Sequence, residues 1–268
     1  MNGTANFIVS ESVNPIFTRS PAVCRQRPVL PALRQYFDAA WIYTVPVGAS
    51  GKSATVPEGC ADVYWSDGTL RVAGPHTQVK VEQVVAGRTG VGLRFRPEGA
   101  LSWLRTPISD ITDSRVELES LWGTEARRLI AWVGESRTPG EIANRIEHAF
   151  LRRLSGVGRP DAFHSAVIRH LRARHDYSIP IAYQLGRTFE MSERTLRRRC
   201  QEAFGYGVKT LDRIFRFQRF IALARLPGND QLVELAGEAG FADQAHLARE
   251  ARELAGLTPK QIRTQSRY

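Results

Sequence analysis

What this 268-residue chain lacks narrows its chemistry first. It has three cysteines, Cys24, Cys60 and Cys200, which are too few and too scattered for a disulfide framework or a zinc site. Such usage fits a reducing cytoplasm. Its histidines do not pair at ligand spacing, so no metal centre is expected. There is no Ser-His-Asp constellation with supporting context and no phosphate-cradling loop. No catalytic residue and no cofactor are therefore expected. No apolar run approaches about eighteen residues, so no membrane span is expected. The start, MNGTANFIVSESVNP, lacks the basic-then-apolar order of a secretory leader.

The rest is ordinary globular material, 43% apolar and 24% charged. Its length suffices for two domains with more than one core. The net charge of +10 is unevenly placed. Residues 181–225 hold ten Lys/Arg against four Asp/Glu, whereas residues 226–268 hold five against six. A dense basic segment is often only a solvated helical face. Beside a DNA-binding pattern it points to a polyanion partner.

That pattern lies in Leu232 to Arg263. Leu232, Leu235, Ala236 and Ala239 recur at helical spacing. Gly240 breaks the helix, Asp243 caps the next one, and Leu247, Ala251 and Leu254 form its inner face before Gly256 ends it. Two short helices around a Gly turn make a helix-turn-helix. A second copy lies upstream. Ile181, Leu185 and Gly186 correspond to Leu235, Ala239 and Gly240, and Ser192, Leu196, Arg198 and Gly205 to Asp243, Leu247, Arg249 and Gly256. In that copy Ser178 is expected to cap a helix that Gly186 closes, and Ser192 to cap the next. A helix over 208–226, stopped by Pro227-Gly228, bridges the two. At about 1.5 Å per residue it spans roughly 28 Å. Recognition helices in successive major-groove turns sit roughly 34 Å apart.

The first 160 residues read differently. Residues 1–35 are Pro-containing and irregular. Runs at 41–47, 61–66, 70–74, 79–87 and 91–96, punctuated by Gly and Pro, predict a β-barrel or sandwich, with a hairpin turn at Asp67-Gly68. Short helices are expected over 99–104 and 117–122. Thr124 is expected to cap a helix carrying Leu129, Ile130 and Val133. Thr138-Pro139-Gly140-Glu141 matches a capping box before Ile142, Ile146, Phe150 and Leu154. The expected fold class is α+β: a β-barrel-like, cupin-like N-terminal domain with a helical tail (1–154), a linker (155–160), and an all-α domain (161–268). The latter holds helix-turn-helix units at about 178–205 and 232–256, joined by a long helix.

The stretches GFADQAHLAREARELAGLTPKQIR and MSERTLRRRCQEAFG resemble the paired helix-turn-helix units of AraC/XylS-type transcriptional regulators, and the resemblance covers about residues 162–265. Residues 56–122 also resemble an uncharacterised N-terminal domain found in one branch of those regulators. The resemblance implies base contacts at Arg194, Arg197 and Arg198 in the first unit and at Gln244, Ala245 and Arg249 in the second. Arg suits guanine, Gln suits adenine, and Ala reaches only a thymine methyl. With Leu196 facing inward, Gln201 also points outward. Phosphate contacts are expected from Ser178, Arg187, Lys209, Arg213 and Lys260. Cys200 and Ala251 stand where the family usually has a bulky aromatic, so Phe204 and Phe241 are expected to fill those cores.

In the N-terminal domain the polar residues near turns, Glu58, Asp62, Tyr64, His76 and Arg94, are candidate ligand contacts. Trp41, Tyr43, Tyr64, Trp65 and Trp103 are candidates to line a pocket. The helices over 124–154 carry enough apolar surface either to dimerise or to cover the barrel. The leading function is a sequence-specific DNA-binding regulator. Double-stranded DNA is its partner, and a small-molecule effector, RNA polymerase and a second copy of the chain are further partners implied. The alternative is a DNA-modifying or repair enzyme with Cys24 or Cys60 as acceptor.

Overall fold

The computed structural model describes residues 22–226 and 231–266. The N-terminal part is built on a six-stranded antiparallel sheet in the order β1-β2-β7-β4-β5-β8. Its strands are β1 (Val23–Arg27), β2 (Phe37–Thr44), β4 (Asp62–Ser66), β5 (Thr69–Ala73), β7 (Thr89–Phe95) and β8 (Arg115–Glu117). A separate pair, β3 (Lys52–Thr55) and β6 (Lys80–Gln83), forms a second small sheet. The barrel-like expectation thus takes the form of two sheets with space between them.

Strand alternation decides what each face does. One side of the large sheet presents Ala40, Val63, Leu70, Val72, Val91, Leu93 and Phe95, all buried. Helices cover it: α1 (Ala100–Leu104), α2 (Leu118–Trp122), α3 (Thr124–Gly134) and α4 (Pro139–Arg153). Ala126, Leu129, Val133, Ile146 and Phe150 belong to the same core as the strands. The helical tail therefore spends its inner face on covering the sheet. Phe37 stacks on Phe95 at 4.4 Å between centroids and meets Phe150 edge-on at 5.2 Å. The buried Arg27–Glu147 pair ties β1 to α4.

The remaining helices are α5 (Ala162–Arg172), α6 (Ile181–Thr188), α7 (Glu193–Phe204), α8 (Val208–Arg225), α9 (Leu232–Ala239), α10 (Gln244–Ala255) and α11 (Pro259–Ser266). They share a core with α8 at its centre. Leu211, Ile214, Phe217, Phe220, Ile221 and Ala224 of α8 are all buried, and α8 touches each of α5, α6, α7, α9, α10 and α11. Phe204 and Phe241 are buried in that core, as expected from the small residues at Cys200 and Ala251.

Local signals were legible to different degrees. Asp67 and Gly68 both take positive φ, and Ser66 pairs with Thr69, so the expected hairpin turn forms. Thr138, Ser192 and Asp243 each accept a first-turn backbone N–H. The capping box at Thr138 is half complete, because Glu141 reaches back to the Arg137 N–H and not to that of Thr138. Thr124 is not a cap; it is the first helical residue, and Gly123 precedes it without a side-chain cap. Ser178 is not a cap either. Its N–H and hydroxyl both go to Asp176, and the helix starts behind Pro180. Gly186 does not close α6, which runs on to Thr188, and the chain turns at Glu190 with φ 51°.

Three further expectations change. The irregular lead-in contains β1, because Val23–Arg27 finds an edge partner in β2; residues 1–21 lie outside the described residues. The strand expected over 79–87 stops at Gln83. Segment 155–160 is docked: Gly156 O accepts from Arg105 at 2.7 Å and Gly158 O from the Tyr36 hydroxyl at 3.1 Å. The expected stop at Pro227-Gly228 lies outside the described residues; α8 ends at Arg225.

The turn of the second unit is tightly specified. Gly240 takes φ 90°, and the Phe241 N–H donates to Ala236 O at 2.9 Å, closing the helix. A Cβ at Gly240 would run into the Tyr177 ring. Gly240→Ala is expected to lower stability by about 1–3 kcal/mol through the left-handed backbone and that clash. The urea midpoint measures it, and an unchanged midpoint would contradict this reading of the turn.

Candidate nucleic-acid interface and ligand cavity

The second helix of each unit is held by its own caps and core, which leaves one face free. In α7, Leu196, Cys200, Ala203 and Phe204 are buried. Arg194, Arg197 and Arg198 are exposed and Gln201 is half-buried on the opposite side. The Ser192 cap fixes the start of α7, and Gly205 at φ 86° fixes its end. Arg194, Arg197, Gln201 and Lys209 line one groove with the uncapped start of α8. Glu193 lines the same groove 4.0 Å from Lys209, so Arg194 and Arg197 are the cations it offers beside that helix start, a chemistry suited to phosphate.

In α10, Leu247, Ala251 and Leu254 are buried, and Gln244, Ala245 and Arg249 are exposed. Ser178, Arg187, Lys209 and Lys260 are exposed as well. Arg213 differs from these. Its guanidinium is taken up by Glu250 and Glu253 of α10. Sequence spacing could not reveal this, because the partners come from 37 and 40 residues away.

The second site is a cavity of about 550 Å³ between the two sheets of the N-terminal part. All five polar candidates, Glu58, Asp62, Tyr64, His76 and Arg94, line it together. Trp41 and Tyr43 line it too. Trp65 and Trp103 do not: Trp65 packs against the helix-covered core, and Trp103 is fully buried in it. In a strand only alternate residues share a face, so Tyr64 excludes Trp65 from the cavity. Arg71, Glu82 and Arg115 also line it and were missed. The alternation Leu70-Arg71-Val72 would have placed Arg71 opposite the core. Glu82 and Arg115 come from short strands, which carry little pattern.

Arg94 anchors the cavity, pairing with Glu58 and donating to Asp62 Oδ1 at 3.2 Å. Burial pushes the Glu58 carboxyl above its usual range, partly opposed by Arg94. His76 is pulled below its ordinary 6.5, by burial first and then by Lys80. Burial raises the Cys24 thiol to about 12 and the Cys60 thiol well above 9. Both therefore stay protonated, the form that is a poor nucleophile. Among the described residues no group of His, Cys, Asp and Glu is placed to hold a metal ion, and no helix is long and apolar enough to cross a membrane.

Residues 185–265 match the family described as a helix-turn-helix domain. They form an AraC-type helix-turn-helix domain. This AraC-type domain is a DNA-binding unit of transcriptional regulators. Residues 26–117 match a domain of unknown function (DUF6597), which contains all five polar cavity residues. No curated protein matches the chain. Solved structures of ToxT from Vibrio cholerae are similar to it at low identity. An apo lysine-to-alanine variant from strain SCE256 has a TM-score of 0.42 and 11% identity, covering 93% of this chain and 99% of that one. A P21 crystal form has a TM-score of 0.43 and 11% identity, covering 91% and 97%. The unsaturated-fatty-acid-bound wild type has a TM-score of 0.40 and 11% identity, covering 91% and 95%.

The depressed His76 has a consequence for stability. Its folded-state pKa lies below the unfolded value of 6.5, so the unfolded chain binds the extra proton more readily. Its contribution is full above 6.5 and is lost as pH falls through the folded pKa. The thermal midpoint of wild type is expected to drop between pH 7.5 and 5.5 by more than that of His76→Asn. Equal drops would contradict the assignment.

Proposed function

We propose that the protein is a sequence-specific transcriptional regulator that sets two recognition helices, α7 and α10, into successive major-groove turns, under control of a small molecule in the N-terminal cavity. The observation that carries this is the mounting of both units on one buried helix. α8 has 18 residues, about 27 Å at 1.5 Å per residue, and its core residues serve both units. A rigid bridge of that length suits the roughly 34 Å between major-groove turns. The proposed division places the sensing part at 1–154 and the DNA-binding part at 161–268. The three free cysteines, each half-buried or buried, accord with action in the cytoplasm. The enzyme alternative has no activated thiol to support it.

Control can pass through the loop before β4. Glu58 faces the cavity and pairs with Arg94. Its neighbours face α8: Pro57 O accepts from Gln218 Nε2 at 2.6 Å, and a Cβ on Gly59 would lie 3.1 Å from the Phe215 ring. Ala54 and Val56 are buried in the same core as α8. A ligand that changes the Glu58–Arg94 pair thus acts on a loop already bolted to the bridge. Ligand control requires different affinities for two placements of that loop.

The exposed arginines of α7 should carry more of the DNA affinity than α10 does. Arg198→Ala is expected to weaken binding to selected DNA by about 1–3 kcal/mol. Arg249→Ala is expected to cost less. A gel-shift series at fixed salt measures both, and equal losses would overturn the asymmetry.

A further inference from the structure

We propose that the cavity takes a small molecule joining a flat aromatic ring to an anionic group, with the ring on Trp41 and Tyr64 and the anion on Arg71. This rests on reading the cavity as the regulator's ligand site.

Strand register sets the geometry of the cavity wall. Trp41 of β2 pairs with Gly92 of β7, Gly92 with Tyr64 of β4, Tyr64 with Arg71 of β5, and Arg71 with Glu117 of β8. These five residues form one row across the cavity face of the sheet. Gly92 is what lets the row work as a platform. A Cβ there would lie 2.6 Å from the Trp41 ring, so its absence allows the indole to lie flat over the strand. Trp41 Nε1 donates to Asp62 Oδ1 at 2.9 Å, which fixes the plane. The Tyr64 ring lies 6.2 Å away and is inclined by only 30°. Two near-parallel rings held on a sheet make a surface for a third ring. Tyr64 stays uncharged at neutral pH, because burial raises its phenol further.

The charges select the other end of the ligand. Arg88 pairs with Asp67, Arg94 with Glu58 and Asp62, and Arg115 with Glu82. Arg71 differs. Its side chain makes one long bond, 3.4 Å, to Ser66 O, and among the described residues it joins no ion pair. Glu117 is its cross-strand neighbour but is exposed and lies beyond ion-pair reach. A half-buried guanidinium with most of its donors unused is matched by a planar anion such as a carboxylate. For a cationic ligand the row offers only Glu117, an exposed carboxylate at its outer end, since Asp62 already accepts from Trp41 and Arg94. The volume of about 550 Å³ fits within the usual range for small-molecule sites.

The test uses the full chain and three ring-matched probes: 2-naphthoate, 2-naphthalenemethanol and 2-naphthylmethylamine. Calorimetry should show the acid binding about tenfold or more tightly than the alcohol, and the amine weakest, as expected of a charge-assisted contact. Arg71→Gln should abolish the preference for the acid, and Arg71→Lys should keep part of it. Trp41→Leu should weaken acid and alcohol alike, and circular dichroism checks that each variant folds. An acid that binds no tighter than the alcohol, a preference that survives Arg71→Gln, or no binding by any probe overturns the proposal. Tighter binding of the alcohol or the amine overturns the ligand class and leaves a ligand-responsive regulator standing. Binding of a probe that leaves affinity for selected DNA unchanged removes ligand control itself.

Discussion

The burial of α8 is the constraint on which the rest depends. Leu211, Ile214, Phe217, Phe220 and Ile221 pack against helices of both helix-turn-helix units, so the spacing of α7 and α10 is a property of one core. Truncating a buried Phe to Ala typically costs about 3–5 kcal/mol. A change at Phe217 would therefore disturb both units at once. Polar groups reinforce the bridge. Asp212, buried on α8, takes Arg174 at 2.8 Å and Arg216 at 3.5 Å. Breaking such a pair by removing one partner leaves an uncompensated charge.

The same helix receives the N-terminal part. Gln218 and Phe215 hold the loop carrying Glu58, and Thr112 Oγ1 donates to Gly205 O at the end of α7 at 3.2 Å. Tyr206 sits in this seam with a buried hydroxyl that has no hydrogen-bond partner among the described residues. An unsatisfied buried hydroxyl carries a cost. The cavity loop and α8 meet on both sides of Glu58, through the Gln218 side chain on Pro57 O and the Phe215 ring beside Gly59.

Much of this was legible in the sequence because it is local. The caps Ser192 and Asp243, the αL glycines Gly205, Gly240 and Gly256, and the apolar periodicity of α7, α8 and α10 each announce themselves within a few residues. The five polar cavity residues were found because Gly and Pro mark the turns beside them. What was missed is non-local. β1 and β8 are short edge strands whose existence depends on a partner, and Ser178 yields to Asp176, a competitor two residues away. The commitment of Arg213 to Glu250 and Glu253 also changes the meaning of charge. The second unit reads as net acidic, yet two of its carboxylates are turned to α8 and a third, Asp243, is spent as a cap. Net charge per segment therefore overstated how poorly α10 would suit DNA.

The central claim is that one buried helix sets two recognition helices at the spacing of successive major grooves. Hydroxyl-radical footprinting of the purified protein on DNA fragments that it selects tests this most directly. The account predicts two protected stretches per chain on one face of the duplex, about 10 base pairs apart. A single protected stretch of one major-groove turn would contradict it.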